Sequence, residues 1–83
     1  MARPTERVVV YSKPGCHLCA DAVTLVEAVC DELGVGWAEL DISPDADLTR
    51  TYGEQIPVTF VDGKQHDFWR VDADRLRAAL RSG

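Results

Sequence analysis

Cysteine is scarce in this chain of 83 residues: there are three, and two of them, Cys16 and Cys19, lie three positions apart. An odd count with such close spacing excludes the framework of a disulfide-stapled secreted domain and points to redox or metal chemistry. Positive charge is also short, with 9 Lys and Arg against 14 Asp and Glu and a formal net charge of -5. General affinity for nucleic acid phosphates needs a clustered basic surface, so nucleic acid is set aside as a partner. Long apolar runs are missing. The segment Met1–Arg7 is short and polar, and Val8–Tyr11 after it is far too brief for a signal-peptide core or for the ~20 residues of a membrane helix. No membrane partner is expected, and the expected compartment is the cytoplasm. The 46% hydrophobic and 28% charged residues suit a folded globule. A chain of this length has room for one core, so residues 1–83 read as a single domain with a frayed lead-in over residues 1–6.

Along the chain, Arg7 to Tyr11 is a β-branched run, apolar from Val8 onward, which reads as a central strand buried on both faces. Ser12 to Gly15 is a turn. Leu18, Ala22, Leu25, Val26, Val29 and Leu33 then recur at the spacing of an amphipathic helix that should stop at Gly34. From Gly36 to Ile42 the pattern alternates, with Ala38, Leu40 and Ile42 on one face, as in a half-buried strand. Asp45 to Tyr52 suits a short helix with acidic residues in its first turn. Pro57 to Val61 is a strand, Asp62-Gly63 a hairpin dipeptide, and Lys64 to Arg70 the return strand at a sheet edge. Asp72 can cap a last helix whose buried stripe is Val71 or Ala73, Leu76, Ala79 and Leu80, with Arg75, Arg77 and Arg81 exposed. A strand-helix-strand unit demands a parallel pair and the hairpin an antiparallel one. The expected fold is therefore α/β, a four-stranded mixed sheet flanked by helices in the order β-α-β-α-β-β-α.

Placed where a central strand gives way to a helix, Cys16 lies among the unpaired backbone N–H groups of the helix start. Those dipoles favour a thiolate, which is the nucleophile. Cys19, one helical turn further in, is close enough to form a disulfide with Cys16 and to resolve a mixed disulfide on it. The ring so closed is small and adds little stability, which suits a bond made to be broken. The competing reading of a CxxC is half of a zinc site. Zinc usually takes four ligands, no second CxxC exists, and Cys30 lies about 16 Å along the helix axis from Cys19, so no metal site is assigned. Cys30 is a small buried apolar residue or, less economically, a regulatory thiol. His17 either tunes the thiolate or is solvent-exposed, and Lys13 either adds positive field for an anionic thiol or is a solvated turn residue.

The strand ending in YSKPGCHLC, the amphipathic helix and the later IPVTFVDG together resemble the glutaredoxin-like members of the thioredoxin superfamily, especially the short bacterial proteins with a CxLC motif. The resemblance spans about residues 7 to 81. It implies a thioredoxin-like fold, a cis peptide bond before Pro57, and a Pro57 that lies beside the cysteines while Ile56 presents its backbone to substrate. By residue pattern alone, Pro57 reads equally as a trans proline opening a strand. Glutathione-using glutaredoxins typically carry a Gly-Gly pair before an acidic helix start. Here Phe68-Trp69-Arg70-Val71 stands in that place, with Asp72 and Asp74 after it. Trp69 either reshapes the groove or covers the sheet, and Asp72 is an N-cap or a ligand contact. The expected activity is dithiol thiol-disulfide exchange without a bound cofactor. Cys16 and Cys19 are the catalytic pair, and Lys13, His17, Ile56 and Pro57 contact substrate. The partners are protein disulfides or a low-molecular-weight thiol, with a reductase or small-thiol reductant, acting on a monomer. The alternatives are an iron-sulfur or metal carrier, with Cys16 of two subunits and external thiols holding a cluster, and a non-catalytic interaction domain.

Overall fold

The structure is a computed structural model that describes residues 6–82; apart from Glu6, the lead-in expected over residues 1–6 lies outside them. The elements run β1 (Val8–Ser12), α1 (His17–Leu33), β2 (Trp37–Asp41), α2 (Ala46–Tyr52), β3 (Val58–Val61), β4 (Lys64–Phe68) and α3 (Ala73–Ser82). The sheet order is β2-β1-β3-β4, with β1 parallel to β2, antiparallel to β3, and β3 antiparallel to β4. This is the mixed four-stranded arrangement that the sequence predicts. Among the described residues, no helix is long and apolar enough to cross a membrane.

Because successive side chains of a strand point to opposite faces, the unbroken apolar run of β1 feeds two cores at once. Val8 and Val10 join Val26, Val29 and Cys30 of α1, Val61 of β3, and Leu76 and Leu80 of α3. On the other face Tyr11 packs with Cys19, Ile42, Ile56 and Val58, while Val9, Leu40, Tyr52 and Phe60 close in around them. Tyr11, Tyr52 and Phe60 meet there with ring centroids 4.6 to 5.6 Å apart. The alternation of β2 divides its residues in the same way, Trp37 toward the first core and Leu40 toward the second.

Local chemistry sets the ends of these elements. Asp45 caps α2 by accepting the Leu48 N–H at 3.0 Å, and Asp72 caps α3 by accepting from Asp74 and Arg75 at 2.9 and 3.1 Å. The Asp62-Gly63 turn places both residues at positive φ, 51° and 83°, which matches the right-handed twist of a two-residue hairpin. α1 stops where Gly34 turns left-handed at φ 68° and the Val35 N–H returns to the Cys30 carbonyl at 2.9 Å.

Three details depart from the pattern-based expectation. Leu18, assigned to the buried stripe of α1, is 40% exposed, because it lines an open groove with Trp69. β4 ends at Phe68, not Arg70, because Trp69 leaves the strand at φ 64°. Arg77, expected in solvent, is half-buried in ion pairs with Glu32 at 2.9 Å and Asp74 at 3.1 Å.

A Cβ added to Gly34 meets nothing within 4 Å, so only its backbone conformation resists substitution. Gly34→Ala should therefore lower the unfolding free energy by about 1 kcal/mol through left-handed strain alone. Urea denaturation should show a lower midpoint with an unchanged slope.

Candidate active site

The end of β1 and the turn after it aim the first cysteine. Gly15 takes φ 75°, which an L side chain resists, and the chain then enters Cys16 in an extended conformation, φ -98° and ψ 111°. Cys16 is the N-cap of α1. Its Sγ accepts the Cys19 backbone N–H at 3.1 Å, the place that a hydroxyl or carboxylate oxygen fills in most helices. The half-buried Cys16 sulfur therefore sits at the positive end of the α1 dipole, on a donor that strengthens as charge develops on sulfur.

Cys19 has a different environment. It is 3% exposed in the second core, and its thiol is pushed up to about 11. Burial is the main cause. Donation of its thiol to Cys16 adds to the shift, and a backbone N–H from Lys13 opposes it. Both sulfurs are free thiols, as is Cys30. Cys30 is 0% exposed in the first core, where burial also raises its pKa, and it takes no part in the site.

The loop before β3 completes the wall. The Ile56–Pro57 peptide bond is cis, as the resemblance implies, and Pro57 is fully buried. Ile56 packs in the same cluster as Cys19, with Cys16 against it. Among the described residues, neither the Ile56 N–H nor its carbonyl has a hydrogen-bond partner. Lys13 and His17 flank Cys16 with exposed side chains, and no ion pair or hydrogen bond among the described residues holds either.

One feature escaped the sequence reading. Ser12, buried at the end of β1, donates to Glu39 of β2 at 2.7 Å, and Glu39 adds slightly to the raised pKa of Cys19. Trp69, which the sequence leaves either to reshape the groove or to cover the sheet, stands at the groove. Its backbone N–H is shared between the carbonyls of Pro57 at 2.8 Å and Gln55 at 3.2 Å, and its Nε1 donates to the Glu54 carbonyl at 2.9 Å. A bulky residue at φ 64° carries strain of about 1 kcal/mol or more, and these bonds hold it there. The ring is 52% exposed and faces Leu18 across a groove of about 260 Å³. An aromatic residue standing where the resembling proteins carry glycine was the signal available.

A CxxC at the N-terminus of the helix after a central strand, backed by a cis-proline loop on the neighbouring strand, defines the thioredoxin fold. Solved structures agree. XcR50 from X. campestris has a TM-score of 0.75 at 30% identity, covering 92% of this chain and 97% of its own. A mutant thioredoxin from Halobacterium salinarum has a TM-score of 0.61 at 25% identity, covering 93% of this chain and 74% of its own. The protein Rv0508 of Mycobacterium tuberculosis H37Rv is 31% identical over 85 residues, 96% of this chain and 86% of that protein. Residues 7–81 match the model of the glutaredoxin-like domain (DUF836), and the chain belongs to that family.

Because the folded value for Cys19 lies above its ordinary value of 9.0, folding favours the neutral thiol. That contribution is complete below pH 9.0 and is lost as the pH rises toward about 11. Near neutral pH, iodoacetamide should label Cys16 of the reduced protein and leave Cys19 and Cys30 unlabelled, with Cys19 becoming reactive as the pH approaches 11. Peptide mapping by mass spectrometry reads this order, and equal labelling at neutral pH would contradict it.

Proposed function

We propose that this protein is a dithiol thiol-disulfide oxidoreductase in which Cys16 attacks and Cys19 resolves. The observation that supports it best is the division of labour between the two sulfurs. One is partly open and capped by an amide N–H at 3.1 Å, while the other is buried, neutral and one turn behind. In the first step the Cys16 thiolate attacks one sulfur of a substrate disulfide. A bond from Cys16 Sγ to that sulfur forms, the substrate S–S bond breaks, and the departing thiolate takes a proton from solvent. Cys19 then gives up its proton as its sulfur attacks Cys16 Sγ, releasing the second substrate thiol. The substrate has gained two electrons and two protons, and the protein holds them no longer, being left with a Cys16–Cys19 disulfide. A reductase or a small thiol returns the pair to the dithiol.

Ile56 and Pro57 serve this chemistry by docking the substrate. The unpaired N–H and carbonyl of Ile56 are a strand edge one residue long, suited to an extended peptide laid across the cysteines. Lys13 adds positive charge beside Cys16 for an anionic thiol or departing thiolate, and the exposed imidazole of His17 offers a polar contact to the same substrate. The substrates are protein disulfides or a low-molecular-weight disulfide.

The test is capture. With Cys19→Ser the mixed disulfide on Cys16 cannot resolve, so partners should accumulate as covalent adducts that dithiothreitol releases; Cys16→Ser should capture nothing comparable. If the two variants trap equally, the mechanism is wrong. A coloured, iron-containing protein after anaerobic purification would instead favour a cluster carrier, and alkylation of Cys16 with the pH dependence of an ordinary thiol an interaction domain.

A further inference from the structure

We infer that Trp69, with Leu18 opposite, makes the site selective for disulfides whose cysteine is flanked by an apolar side chain, such as those of unfolded or partly folded proteins. This inference rests on the dithiol reading above and narrows its substrate.

The end of β4 and the loop before β3 are joined through one residue. Trp69 donates its backbone N–H to Pro57 and Gln55 and its indole N–H to Glu54, so the end of β4 is bound to the loop that carries Ile56. Its ring makes an edge contact with Phe68, ring centroids 5.1 Å apart, and forms one wall of the groove whose other wall is Leu18, two residues past Cys16. Leu18, Phe68 and Trp69 are the large apolar residues left exposed among the described residues, and all three lie at this end of the molecule. Three such residues scattered singly would be unremarkable; gathered at one groove that starts two residues past Cys16 and is tied through Pro57 to the loop against which Cys16 packs, they form a contact surface.

The chemistry of the groove decides what fits. Leu25, Ala22 and Val71 line its floor, and its two charged residues, Asp21 and Arg70, are of opposite sign. It offers no cluster of positive charge for the carboxylates of a small acidic thiol, and it offers about 260 Å³ of mainly apolar space. An extended chain pairing with Ile56 and bonded to Cys16 would set a neighbouring side chain against Leu18 and Trp69. The strained backbone of Trp69 fits this role, because φ 64° would suit glycine better unless the side chain were wanted.

The experiment measures single-turnover oxidation of the reduced protein by four disulfides: those of acetyl-Phe-Cys-amide and acetyl-Ser-Cys-amide, glutathione disulfide, and bis(2-hydroxyethyl) disulfide. The wild type should react about tenfold or more faster with the Phe disulfide than with the Ser disulfide or glutathione disulfide. Trp69→Gly accepts φ 64° without strain and keeps the backbone bonds while removing the wall; its Phe-to-Ser ratio should fall to within about twofold. Trp69→Phe, which keeps an apolar ring, should restore the ratio, and Leu18→Ser should reduce it from the opposite wall. The ratio compares two substrates on one variant, so a general loss of stability or reactivity leaves it unmoved. A wild type that reduces bis(2-hydroxyethyl) disulfide but shows no Phe preference, or a preference that survives both Trp69→Gly and Leu18→Ser, overturns this inference and leaves the dithiol reading standing. A wild type that reduces none of the four overturns both.

Discussion

One hydrogen bond organises this molecule: the Cys19 amide to the Cys16 sulfur, at the first turn of α1. It begins the helix, because a helix start leaves donors that something must accept. It also fixes where the two sulfurs stand relative to each other and to the sheet. β1 delivers Cys16 to the edge of the second core, α1 carries Cys19 into it, and the same helix continues down to cover the first core through Val26, Val29 and Cys30. Fold and site share their foundation, so the residues that begin the helix are also the cysteines of the candidate site.

The two cysteines differ because they stand on opposite sides of a solvent boundary. Cys16 meets water and amide dipoles; Cys19 meets Tyr11, Ile42, Ile56 and Val58. Burial penalises the charged form of a thiol, and it is the main cause of the raised pKa of Cys19. An identical pair of side chains thus acquires two environments within one turn. The cis-proline loop adds a third element, an unpaired stretch of backbone at Ile56 held against the same cluster.

Much of this was legible in the sequence because it depends on local pattern. The β-branched run of β1 can only satisfy both faces at the centre of a sheet, Gly34 ends a helix wherever its neighbours are periodic, and Asp62-Gly63 demands positive φ in any hairpin. The position of Cys16 followed from the same arithmetic. What was not legible depends on partners far along the chain. Leu18 obeys the helical spacing yet stays 40% exposed, because what stands opposite it is an open groove walled by Trp69, 51 positions further along the chain. Trp69 reads as one more strand residue until the carbonyls of Gln55 and Pro57 draw its amide out of the ladder. Arg77 looks like a solvated face residue until Glu32, 45 positions away, meets its guanidinium.

The seclusion of Cys30 bears on how the chain weathers oxidation. Three thiols allow three pairings, and a protein that could sample all of them would drift into crosslinked dead ends with each cycle. Here the third sulfur, with no exposed surface, is walled in by Val26, Val29, Leu76 and Leu80 on the far side of the sheet from Tyr11 and Ile56. Scrambling would require the interior to open first, so the topology itself leaves a single partner for Cys16 within the chain.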